Sequence, residues 1–148
     1  MTEPETLPYD KCLDLLRKSI VGRVGFAVGD GLKIIPVNYV VIGDAVVVRT
    51  RPDSELGRHA AGAALAFQID HFDYADHKGW SVLAVGTGEL VEDVSELADQ
   101  SDFWDPKPWA DDEPRVSYVR LPWTELTGRR LGRGWTWENE MPVRRFLG

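Results

Sequence analysis

Apolar residues recur at helical spacing around Tyr9–Ser19, where Cys12, Leu13, Leu15, Leu16 and Ile20 gather on one side. The spacing predicts an N-terminal amphipathic helix, capped by Asp10 and stopped by Gly22. From Arg23 the period changes to two, with Val24, Phe26 and Val28 alternating against small or polar neighbours up to the turn Gly29-Asp30-Gly31. A hairpin follows. Leu32–Val41 continues as a long strand in which Pro36 removes a ladder donor, so an edge, a bulge or a ligand-facing position is expected there. The turn Ile42-Gly43-Asp44-Ala45 leads to Val46-Val47-Val48, continued by Arg49 and Thr50, and the three strands are expected to form a meander.

Beyond Thr50, the turn Arg51-Pro52-Asp53-Ser54 precedes an alanine-containing segment over Ser54–Ala64 that reads as a short capped helix. Ala64–Ile69 is a fourth strand, Asp70–Lys78 a polar loop, and Gly79–Val91 a fifth strand in which Gly86 and Gly88 predict bending. Val94–Phe103 has a helical pattern, Asp105–Glu113 is a loop, Arg115–Leu121 a sixth strand and Thr124–Leu131 a last strand or turn. About six short strands with regular turn signals and two or three peripheral helices predict a mainly β fold, a small closed or split antiparallel barrel of Greek-key type.

Length and charge narrow the function. The 148 residues suit one domain over the whole of 1–148, with 1–8 expected to be a flexible start. A formal charge of −7 opposes broad nucleic-acid binding, which needs a basic surface. No apolar run reaches membrane-spanning length and no basic-then-apolar leader opens the chain, so a cytoplasmic protein without membrane contact is expected. Cys12 is the one cysteine and reads as a buried inert thiol, leaving no internal disulfide. His59, His71 and His77 show no metal-ligand spacing. The acidic run Glu89–Glu113 receives no function, whereas Arg115, Arg120, Arg129, Arg130, Arg133, Arg144 and Arg145 enrich the last third with positive charge.

Several strings, taken together in order and spacing, resemble the pyridoxamine-phosphate-oxidase-like superfamily of flavin-binding split barrels. They are Cys12-Leu13-Asp14-Leu15-Leu16, Gly22-Arg23-Val24-Gly25-Phe26, Ile35-Pro36-Val37-Asn38-Tyr39, Gly43-Asp44-Ala45-Val46-Val47-Val48-Arg49-Thr50, Ala64–Asp70 and Gly79–Gly88. The likeness runs from about Tyr9 to Arg130. It implies a homodimer with flavin mononucleotide, FMN, held between subunits, and a reaction on a small organic substrate. Pro36, Val37 and Asn38 match the strand that lies along the isoalloxazine ring. Thr50 and Ser54 match the phosphate-binding turn, with Arg49, Arg51 and Arg58 as neighbouring cations. Trp80 and Ser81 match a position that approaches the ring from an opposing strand or subunit. Trp135 and Trp137 are assigned to dimer packing.

One departure bears on the cofactor. The family pattern places a cation shortly after the serine, where this chain has Glu55 and Leu56, and a carboxylate there would repel phosphate unless turned away. The departure leaves a deazaflavin as an alternative carrier; haem is not expected. Without a nucleophile paired to a base, the chemistry would reside in the flavin, giving a flavin-dependent oxidoreductase. The competing reading is a non-catalytic cofactor-binding or sensing module, or a degenerate barrel dimer that has lost its flavin. Pyridoxamine-phosphate oxidase activity itself is not expected, because Arg129, Arg130 and Arg133 do not reproduce the basic motif for a second phosphate.

Overall fold

The computed structural model describes residues 5–91 and 116–132. The expected helix Val94–Phe103, the loop Asp105–Glu113 and residues Arg115, Arg133, Trp135, Trp137, Arg144 and Arg145 lie outside them. Within the described residues, a curled antiparallel sheet carries two helices, so the fold is mainly β as expected. The sheet has nine strands rather than about six, because two long strands subdivide and Glu5–Thr6 adds another: β1 (Glu5–Thr6), β2 (Val21–Val28), β3 (Gly31–Asn38), β4 (Val40–Ile42), β5 (Ala45–Thr50), β6 (Ala64–Asp73), β7 (Lys78–Thr87), β8 (Glu89–Val91) and β9 (Ser117–Leu131). The helices are α1 (Tyr9–Lys18) and α2 (Glu55–His59).

Helix α1 forms where the periodicity placed it and buries Cys12, Leu15 and Leu16. Its N-cap is Pro8, which gives no side-chain bond; Asp10 stands in the first turn, where a carboxylate suits the positive end of the helix. The helix ends at Ser19, before β2 starts at Val21, so Gly22 is a strand residue. Burial places Cys12 as read from sequence, and burial raises its thiol pKa.

The strand order β3-β2-β6-β7-β9-β5-β4 corrects the expected meander. Hairpins β2–β3 and β4–β5 form, but they stand at opposite ends of the path, since β5 pairs with β9 over Ala45–Thr50. The chain changes direction at Tyr39. Its ring packs edge-on against Phe67 with centroids 4.6 Å apart, its hydroxyl donates to the Leu16 carbonyl at 2.6 Å, and its N–H donates to the Ile20 carbonyl.

Strand β9 joins the two halves. Its first part pairs with β5 on one side and β8 on the other, and its second part pairs with β7 and β1. The separate strands expected on either side of Pro122 are therefore one. A register shift between Val85 and Gly86 marks the corner, where a Cβ on Gly86 would meet the Pro122 carbonyl at 2.2 Å. The predicted bending at Gly86 and Gly88 is thus seen, the latter separating β7 from β8. Residues Glu5 and Thr6, expected to be part of a flexible start, pair with Arg130 and Arg129, and buried Leu7 donates its N–H to the Gly128 carbonyl.

Inside the curl, Val24, Phe26, Phe67, Ile69, Trp80, Val82, Ala84 and Leu126 meet the buried face of α1. Alternation along β6 and β7 sends the intervening side chains outward. A smaller cluster of Val40, Ile42, Val47, Val91 and Tyr118 fills the other face of the β4–β5–β9 corner.

Candidate functional site

The site read from sequence divides into a strand and a turn. Strand β3 is the terminal strand of the sheet path, so Pro36 sits on an edge as its missing N–H predicts. Register with β2 places Ile35 beside Val24 and Val37 beside Gly22, on the core side, and Val37 is buried. Pro36 and Asn38 therefore share the outer face, together with Leu32 and Ile34, which are 83% and 70% exposed. Val37 can reach an outer ligand only through its peptide groups.

The turn is held by a chain of hydrogen bonds. Ser54 caps α2 by accepting from the Gly57 N–H at 3.0 Å, and its own hydroxyl donates to the Arg51 carbonyl at 2.7 Å. A hydroxyl has one proton, so the 2.8 Å contact between Thr50 Oγ1 and Ser54 Oγ is donated by Thr50. Gly57 makes this closure possible. A Cβ there would stand 2.2 Å from the Arg51 carbonyl oxygen. Sequence reading missed this glycine, although a Ser-x-x-Gly spacing at a helix start was its visible signal.

The Glu55 carboxylate is held by a lysine. Lys33 of β3 donates to its Oε1 at 2.6 Å and also touches Oε2. That hydrogen bond, before the smaller effect of charge, holds the Glu55 carboxyl below its ordinary value. The negative charge that departed from the family pattern is thereby matched by a lysine that sequence reading passed over. Lys33 lies 22 positions away from Glu55, and its sole signal was a cation interrupting an apolar strand. Leu56 is buried in the main core, so that position faces no ligand.

The cations and the remaining site residues are dispersed. Arg51 is engaged by Asp53 through two bonds of 3.2 and 3.0 Å. Arg49 and Thr50 lie on opposite faces of β5, Arg49 opposite Tyr118 on the side of the smaller cluster. Arg58 is exposed in the last turn of α2. Trp80 is a core residue, and it lines a cavity of about 330 Å³ with Glu5, Leu7, Lys11, Leu15 and Arg130. Ser81, on the opposite face of β7, shares the outer face with Pro36 but is three strands away, about 14 Å along the sheet. The structure thus brings Thr50 and Ser54 together, sets Pro36 and Asn38 side by side, and separates Trp80, Ser81 and Arg49 from both groups.

The fold and this geometry can be set against known proteins. A family model described as pyridoxamine 5'-phosphate oxidase matches residues 8–130. The chain belongs to the pyridoxamine 5'-phosphate oxidase-like family. Its structure is similar to that of the FAD binding protein from Mycobacterium smegmatis, with 31% identity, a TM-score of 0.71, and coverage of 86% of this chain and 99% of that one. A conserved protein of unknown function from Corynebacterium diphtheriae gives 27% identity and a TM-score of 0.69 over 86% of this chain and 98% of that one. An uncharacterized protein of Mycobacterium tuberculosis is 31% identical over 97 residues, 62% of this chain and 64% of its own length, so the chain spans about two thirds of that relative. Among the described residues, no helix is long and apolar enough to cross a membrane.

Proposed function

We propose that this member of the pyridoxamine 5'-phosphate oxidase-like family binds a flavin between two copies of the chain and acts as an oxidoreductase on a small organic substrate. The observation that carries the reading is the 31% identity to a Mycobacterium smegmatis FAD binding protein across 99% of that chain. The residues present fit the group. An edge strand offers main-chain donors and acceptors to the ring at Pro36–Asn38. The Thr50 hydroxyl, with Arg58 exposed nearby on α2, suits the phosphate that adjoins the ribityl chain in FMN, FAD and deazaflavin cofactors alike, while Ser54, whose proton is held by the Arg51 carbonyl, shapes the turn. Bound there, the flavin would supply hydride or electron transfer, and the protein's part is to hold it, orient it and exclude water.

Two features support a composite site. Within one chain Ser81 is too far across the sheet to meet a ring lying on Pro36, so a second copy is the natural source of that contact. The apolar outer row of Leu32 and Ile34 also suits cover by another chain. The competing reading, a barrel that keeps the fold without the cofactor, rested on Glu55 and Leu56. Pairing of Glu55 with Lys33 removes most of its force.

Gel filtration with in-line absorbance and light scattering tests the proposal. The expected result is a yellow dimer carrying about one flavin per chain, whose thermal stability rises with added cofactor. Colourless protein that gains no stability from FAD, FMN or a deazaflavin would overturn it.

A further inference from the structure

We infer that Ser117 is a positioning residue for Thr50: when the Thr50 hydroxyl donates its hydrogen bond to phosphate, the Thr50 oxygen accepts a hydrogen bond from Ser117. The inference rests on the flavin reading above and assigns a residue that reading does not use.

Ser117 opens β9 directly opposite Thr50 of β5. Directly paired residues project to the same face with Cβ atoms about 4.5–5.5 Å apart. Ser117 is 0% exposed, and its Oγ has no hydrogen-bond partner among the described residues. The next pair on that face, Val48 and Val119, is apolar and buried. Packing alone would be served by alanine, and a buried hydroxyl without a partner destabilises the fold. A second arrangement of its neighbour, in which this hydroxyl is used, accounts for its presence.

Thr50 has such an arrangement. In the structure its proton goes to Ser54, because the Ser54 proton is committed to the Arg51 carbonyl. Phosphate oxygens only accept, and as charged acceptors they bind a hydroxyl proton more strongly than a neutral serine oxygen does. A step of Thr50 χ1 between staggered wells redirects its hydroxyl away from Ser54. The Thr50 oxygen can then accept from Ser117 across the strand pair, which fixes the rotamer and polarises the O–H toward phosphate. Ser117 itself stays buried and touches no ligand.

A double-mutant cycle in the full-length protein reads this coupling, with dissociation constants for FAD, FMN and riboflavin measured for wild type, S117A, T50V and the double variant. The expected result is that S117A weakens FAD and FMN binding about five- to tenfold, the size of one hydrogen bond. It leaves riboflavin, which lacks the phosphate, unchanged, and adds no further loss in the T50V background. The melting temperature of ligand-free S117A should equal or exceed that of wild type, since the orphan hydroxyl is gone. S117C, a much weaker donor of similar size, should reproduce the loss and serves where S117A folds poorly. Unchanged FAD affinity, an equal loss for riboflavin, or an equal loss in both Thr50 backgrounds would each overturn the inference while leaving the flavin reading intact. Wild-type protein that binds none of the three would overturn the flavin reading and this inference with it.

Discussion

At the scale of single residues, the decisive contact is between Lys33 and Glu55. A carboxylate following Ser54 reads in sequence as a defect in an anion site, because sequence shows the charge and not its direction. The structure turns it to Lys33, and the hydrogen bond from Lys33 holds the Glu55 carboxyl below its ordinary value. A depressed folded-state pKa favours the folded state above the unfolded value, and this contribution is lost as pH falls through the folded one. An NMR titration should therefore place the Glu55 midpoint below that of an isolated glutamate, and K33M should move it back up. A midpoint insensitive to K33M would contradict the pairing. Gly57 gives the second test at this scale. Alanine normally favours a helix over glycine, yet G57A puts a methyl against the Arg51 carbonyl, so it should destabilise the protein by roughly 1–3 kcal/mol in urea unfolding. Thr50 and Ser54 were legible because cap and turn chemistry is local. Lys33 was not, since nothing local couples it to a residue 22 positions on.

At the scale of elements, legibility follows the range of the interactions. The α1 periodicity, the Gly29 and Gly43 turns with φ of 59° each, and the edge position of Pro36 all express local backbone rules, and each is found where the sequence puts it. The break at Tyr39 and the union of two segments across Pro122 are tertiary effects. The first depends on Phe67 and Leu16, and the second on β5 and β7 flanking one continuous strand. Strand β3 also carries a prediction. Native edge strands are commonly protected by charge, but here Leu32 and Ile34 stand out on the outer face. If a second copy covers that row, as the proposed function requires, L32K/I34K should shift light scattering from dimer to monomer with little change in secondary structure. A dimer that withstands both changes would place the interface elsewhere.

At the scale of the whole molecule, β9 organises the fold, touching β5 and β8 with its first part and β7 and β1 with its second. Barrel architecture was readable from the strand rhythm, and the family from strings spread along the chain; the distribution of site residues was not. Alternation by single residues decides which face each side chain takes, so Trp80 and Ser81, adjacent in sequence, point to core and exterior. Accordingly W80A should destabilise the chain by about 3–5 kcal/mol in denaturant unfolding, the cost of a large core truncation, whereas S81A should leave stability nearly unchanged. The flavin is proposed to lie on the outer face of β3 and against the Thr50–Ser54 turn. Equilibrium titration of cofactor-free protein with FAD, followed by calorimetry and flavin fluorescence, tests this most directly. Saturation at about one flavin per chain, weakened by T50V, is expected; absence of saturable binding for FAD, FMN and a deazaflavin alike would rule out this placement.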